Sequence, residues 1–293
     1  MTGAADRRPI VVGIAPDPGL RTALTWAADE ADRRRVLLRV VHAEGVPTGG
    51  YRGRDVPPSW EEWNATLHKA GRQLLDEATA FVTARHPDVE TDPLLAEGDP
   101  VWVLREQSRE ASAVVLGSRH LSRAQEVFGS ASVAVPLMAH ARCPVVVVPE
   151  PEHTTREPGY FVVGVDGSEH CAAAVDLAFE AAALRGAGLR AVYVWQPGPL
   201  RIFDEHEPQQ EARRLLAEIV AGRQARHPEV DLRHDLVVGH PVQVLSDASA
   251  DALGLVVGTR GRGGFAGMLL GSVSQGVLHH ARCPVLVVPT AAA

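Results

Sequence analysis

Apolar residues along this chain come in short unbroken runs separated by longer stretches of mixed polarity. In the carboxy-terminal half the runs are FVVGV (161–165), LRAVYVW (189–195), DLVV (235–238), LGLVVG (253–258) and PVLVVP (284–289). Continuous runs of this length, rich in β-branched residues, predict strands buried on both faces. Between them, apolar residues fall at helical spacing. Ala172, Val175, Phe179 and Ala182 share one face of a helix, and Leu215, Leu216 and Ile219 mark a second. Pro241 after His240 predicts a third helix with proline at its first position. Ser272 predicts the cap of a last one. Such alternation predicts an α/β fold, with an open parallel sheet, right-handed crossovers and helices on both faces. Ligands in these sheets bind at the carboxyl ends of the strands, where the strand order reverses.

The same pattern is written twice. HARCPVVVVP (140–149) and HARCPVLVVP (280–289) differ at a single position. RHPDV (85–89) answers RHPEV (226–230), GDPVWVL (98–104) answers GHPVQVL (239–245), and IVVGI (10–14) answers FVVGV. The matches keep one order along the chain, so the repeat is a domain-sized tandem duplication and not a solenoid. The first copy is longer in its middle, around TGGYRGRDVPPSW (48–60). The expected organisation is a domain over 1–150, a polar, proline-flanked linker over 151–158, and a second domain over 159–293.

Composition narrows the classes of partner. The chain has 293 residues, enough for two domains with their own cores, and a formal net charge of −7. That balance argues against nucleic acid or an anionic membrane as partner. The start, MTGAADRRPIVVGI, lacks a secretory apolar segment, and no apolar run approaches the roughly 20 residues of a membrane helix. Cys143, Cys171 and Cys283 form neither an even set nor a CxxC pair, so a disulfide framework is not expected. A cytoplasmic location is the expectation. The cysteines read as small packed hydrophobes. His140, His279 and His280 fall near helix ends, where they suit the dipole. His240 reads as a helix cap. Trp60 and Trp63 read as anchors of a long helix.

The stretch GTRGRGGFAGMLLGS (258–272) follows a late strand and leads into a helix. Glycines let the backbone approach a ligand closely, and successive N–H groups in such a turn form an anion-binding nest. The helix start adds free N–H groups and the positive end of a dipole. Ser272 and Ser274 offer hydroxyls, and Arg260 and Arg262 offer charge. The loop lacks the GK[ST] ending of a Walker A loop, and it follows the wrong strand for a dinucleotide fingerprint.

Gly258, Gly261, Gly271 and Ser272 fit G-x2-G-x9-G-[S/T]. With VGVDGS (163–168) on the first strand and HARCPVLVVP at the end, each copy resembles the universal stress protein family, and the chain resembles its tandem type. The resemblance implies, per domain, an open five-stranded parallel sheet of order 3-2-1-4-5, and ATP as ligand, alone or with Mg2+. It also implies pairing of the two domains within the chain, and a homodimer as a further assembly. Carried onto the second copy, it places Asp166, Gly167 and Ser168 at the adenosine end. Val194 would line the adenine by its backbone, and Val257 and Gly258 would flank the ribose. Gly261, Gly271, Ser272, Val273 and Ser274 would hold the phosphates, beside the charge that Arg260 offers.

The first copy departs from this pattern. Ala15 stands at the position of Asp166, with Asp17 two residues on. His120 stands at the position of Gly261, Gly129 arrives one residue early, and Glu126 puts a negative charge in the loop. A side chain at position 120 would also penalise any left-handed conformation. The leading expectation is an ATP-binding regulator of a stress response, with ATP mainly in the second domain and a protein partner still to be named. No paired carboxylates or Ser/His/Asp set accompany the loop, so at most slow hydrolysis is expected. The alternatives are a slow ATPase or related nucleotide-processing enzyme, and a ligand-free dimerisation module.

Overall fold

In a computed structural model, the structure describes residues 8–16, 20–45, 60–118, 133–150, 159–168, 171–196, 206–261 and 270–289. The chain forms two compact units, one of Met1–Gly117 with Ala141–Cys143, the other of Ser118–His140 with Pro144–Ala293.

In the first unit, β1 (Ile10–Gly13), β2 (Leu38–Glu44), β3 (Thr91–Glu97) and β4 (Ala113–Gly117) form parallel pairs in the order β3-β2-β1-β4. Helices α1 (Leu20–Arg34), α2 (Trp60–Arg85) and α3 (Pro100–Gln107) connect them. Asp99 caps α3 by accepting from the Trp102 N–H, and Pro100 opens the helix. The core is aliphatic, with Ile10, Leu24 and Leu38 fully buried.

The second unit contains α4 (Ala134–His140), β5 (Val145–Val148), β6 (Tyr160–Val165), α5 (Ala172–Arg185), β7 (Gly188–Trp195), α6 (His206–Gln224), β8 (Leu232–Val238), α7 (Pro241–Ala248), β9 (Gly254–Gly258), α8 (Ser272–His280) and β10 (Val285–Val288). Parallel pairs β7–β8, β6–β7, β6–β9 and β9–β10 give the order β8-β7-β6-β9-β10, which is the expected 3-2-1-4-5. β5 pairs antiparallel with the free edge of β10, Val146 opposite Leu286. Alternate side chains of β7 show that both faces are covered. Tyr193 and Trp195 face α6 residues such as Leu215, whereas Val192 and Val194 face Leu245 of α7. Phe161, Phe179, Leu189, Leu216 and Leu255 are fully buried.

Every strand expected in the second copy is present, and β8 starts three residues ahead of DLVV, at Leu232. The four residues grouped on one face of α5 differ slightly from the buried set, which is Ala174, Val175, Ala178, Phe179, Ala181 and Ala182. Gly186 ends α5 in the left-handed region, φ 57°, with its N–H bonded to Ala182 and Ala183 carbonyls. The three cysteines are free and buried. Burial pushes the Cys143 thiol up to about 12 and the Cys283 thiol up to about 11. His140 and His280 bond the carbonyls of Pro136 and Gly276, four residues back in their helices. α2 begins at Trp60, but the side chains of Trp60 and Trp63 lie outside the described residues, as do the linker 151–158 and His120, Glu126 and Gly129 of the first copy.

Candidate functional site

A cavity of about 510 Å³ opens at the carboxyl ends of β6, β7 and β9, where the strand order turns back between β6 and β9. One wall is apolar, made by Val192 and Val194 of β7, Pro241 and Leu245 of α7, and Val257 of β9. The opposite wall is backbone: Gly258, Gly261 and Gly271, then the start of α8. Asp166 stands between them at the end of β6.

The helix start is built for close approach. Gly271 is the residue before α8, with φ −66° and ψ 148°, and its N–H donates to the Thr259 carbonyl at 2.8 Å. A Cβ on Gly271 would lie 3.2 Å from that same carbonyl, so a side chain would push the helix off the loop. The first bond of the helix is from the Gln275 N–H to the Gly271 carbonyl. The N–H groups of Ser272, Val273 and Ser274 precede it and are directed to the helix end, where an anion is favoured.

Asp166 is held by its own turn. The Ser168 N–H and hydroxyl both donate to Asp166 Oδ1, at 3.0 and 2.7 Å, and Gly167 between them adopts φ 76°. Asp166 Oδ2 lies against Gly261, where any Cβ would collide with it. Cys171 also lines the cavity, and its N–H donates to the Ser168 carbonyl of this turn at 3.2 Å. Burial raises its thiol pKa, and the Asp166 carboxylate raises it further.

Asp166, Val194, Val257, Gly258, Arg260, Gly261, Gly271, Ser272, Val273 and Ser274 all line the one cavity. Gly167 and Ser168 do not line it; they set the direction of the Asp166 carboxylate. Three local expectations change. Ser272 does not cap α8: Gly271 holds that position, and Ser272 opens the helix, exposed. The Ser274 hydroxyl is buried and donates to the Gly258 carbonyl at 2.6 Å, so it ties the helix to β9. Gly261 is not left-handed, and it is glycine because the Asp166 carboxylate occupies the space of a side chain. His240 precedes α7 as expected, without a side-chain cap bond. Arg262 lies outside the described residues.

Reasoning from the sequence missed Gly164, Val165, Cys171, Val192, Gln196, Pro241 and Leu245 among the lining. Alternation along β7 would have found Val192 and Gln196, which share a face with Val194. The place of Leu245 and Cys171 depends on how helices pack, which no local pattern carries.

The universal stress protein family model matches this chain twice, over residues 6–149 and 160–289. The chain belongs to the universal stress protein family. Whole-length relatives agree. Universal stress protein Rv2623 of Mycobacterium tuberculosis is 34% identical over 293 residues, covering 95% of each chain. Universal stress protein Rv2005c of the same organism is 36% identical over 298 residues, covering 95% of this chain and 96% of the relative. A solved universal stress protein from Archaeoglobus fulgidus superposes with a TM-score of 0.75 over 97% of both chains at 16% identity, a likeness of fold. The doubled motifs are thus two universal stress protein domains in one chain. The described helices include none long and apolar enough to cross a membrane.

Proposed function

We propose that this universal stress protein binds ATP in its second domain and acts as a nucleotide-dependent regulator in a stress response. The domains of this reading are 1–150 and 159–293, joined by 151–158. The supporting observation is one cavity at the sheet's switch point that joins an apolar wall to a glycine-built backbone cradle. The apolar wall suits a base. The free N–H groups at Ser272–Ser274, with Arg260 beside them, suit phosphates. Among the described residues no three His, Cys, Asp or Glu side chains gather as a metal site. A Mg2+ ion carried in with ATP would take oxygens from the nucleotide's own phosphates.

The first domain is read as a partner domain without nucleotide. Ala15 offers no carboxylate where Asp166 stands. Leu116 replaces Val257, and with Leu104 it crowds the Cα of Gly13: a Cβ there would meet them at 2.9 and 3.0 Å. A Cβ at the matching Gly164 would meet Leu245 at 3.1 Å and Val257 at 3.4 Å.

Native mass spectrometry of the intact chain with ATP tests both parts. One nucleotide per chain is the expected count. Two would refute the degenerate first domain, and none at saturating ATP would refute the nucleotide reading. Binding to the folded state also raises the melting temperature with ligand concentration, by about 2.7 kcal/mol of stability at a hundredfold excess over Kd.

A further inference from the structure

Val192, Val194 and Gln196 alternate along the end of β7, so all three face the cavity. Gln196 comes last, just beyond the strand. The Trp195 carbonyl accepts from the Gly239 N–H at 3.0 Å, which fixes this strand end beside the turn into α7. The glycine cradle belongs to β9 and α8, and β6 lies between β7 and β9 in the sheet. Gln196 and the cradle are therefore two strand spacings apart, about 10 Å. That is the separation a nucleotide needs between its base and its phosphates.

The other polar side chains of the cavity are engaged elsewhere or stand at the far end. Asp166 Oδ1 is held by Ser168, and the Ser274 hydroxyl by Gly258. Arg260 and Ser272 belong to the cradle side. Gln196 is the polar side chain on the β7 side, exposed at the mouth and next to the apolar wall.

We infer that Gln196 reads the edge of the bound base and makes the site prefer adenine over guanine. This rests on the nucleotide reading above. A carboxamide presents an acceptor oxygen beside two donor hydrogens. Adenine's amino group beside a ring nitrogen matches it in two hydrogen bonds. On the same edge guanine offers two acceptors, so the carboxamide oxygen would face another oxygen or a bare nitrogen. The first copy has Gly45 at this position, with no group to make the contact.

Equilibrium binding of ATP and of GTP to the full chain, wild type against Gln196→Ala, tests this. The wild type is expected to prefer ATP. The variant is expected to bind ATP about tenfold more weakly, to keep its GTP affinity, and to melt at the wild-type temperature. An unchanged ATP-to-GTP ratio in the variant, or no preference in the wild type, overturns the assignment of Gln196 while the nucleotide site stands. Gly261→Ala is the companion variant and is expected to lose both nucleotides. If the wild type binds neither, the nucleotide reading falls and this inference falls with it.

Discussion

The contact between Asp166 and Gly261 joins two stretches almost a hundred residues apart and makes them a single unit. The carboxylate is aimed by Ser168 and fills the space over the glycine. The first copy changes both members together, to Ala15 and His120. The residue scale thus carries a coupling that can be measured. Gly261→Ala is expected to destabilise the fold by about 1–2 kcal/mol, because the new methyl displaces a carboxylate held by two hydrogen bonds. The double variant Asp166→Ala/Gly261→Ala is expected to recover most of that loss without recovering ATP binding. Urea denaturation of the singles and the double closes the cycle; additive effects would show that the two residues do not oppose each other.

At the scale of elements, α5 is tied at both ends. Its carboxyl end is the left-handed Gly186, where an added Cβ meets no atom within 4 Å. Gly186→Ala therefore costs only the backbone conformation, about 1 kcal/mol, read as a melting point lower by about 3 °C. Nearer its amino end, Asp176 is clipped to α6 and the turn after it by Arg223 at 3.0 Å and Arg226 at 2.7 Å. Burial of Asp176 raises its pKa, but the two guanidinium groups outweigh this and hold it below the usual carboxylate value. The folded state thus favours the charged form. The stabilisation is complete above the ordinary carboxylate pKa and is lost as pH falls through the lower, folded one. Because Asp176 is 38% exposed, solvent screening keeps the contribution below about 1 kcal/mol. The gap in melting temperature between wild type and Asp176→Asn should shrink from about pH 6 to about pH 3. A gap that widens on acidification would contradict the clip.

Across the whole molecule, one chain carries two copies of a domain that have diverged where a ligand would sit. The strands, the RHP turns and the closing HARCP segments remain alike. The two copies differ at Ala15 against Asp166, at Leu116 against Val257, and at Gly45 against Gln196. All three second-copy residues line the same cavity. A scaffold conserved between halves with a cavity altered in one of them is what division of labour within a chain predicts. If the divergence instead only tunes affinity, the first domain will fill with nucleotide at high ATP, and the count per chain will rise from one toward two.

The sequence determined the architecture of this protein because strand and helix signals are local. β-branched runs are long enough to be strands buried on both faces, and proline and glycine mark where they stop. The duplicated order of those runs also fixed the pairing of each motif with its copy. The motif spacing picked out most of the cavity wall, since a glycine cradle needs fixed intervals along one loop. Only the tertiary structure decided what each group does there. It gave the Ser274 hydroxyl to the Gly258 carbonyl. It made Gly261 a matter of space and not of backbone angle. It brought Leu245 and Cys171 to the cavity from two other elements. Those outcomes depend on which atoms meet across the sheet's switch point, and contact between distant segments is written in packing, not in any local run of residues.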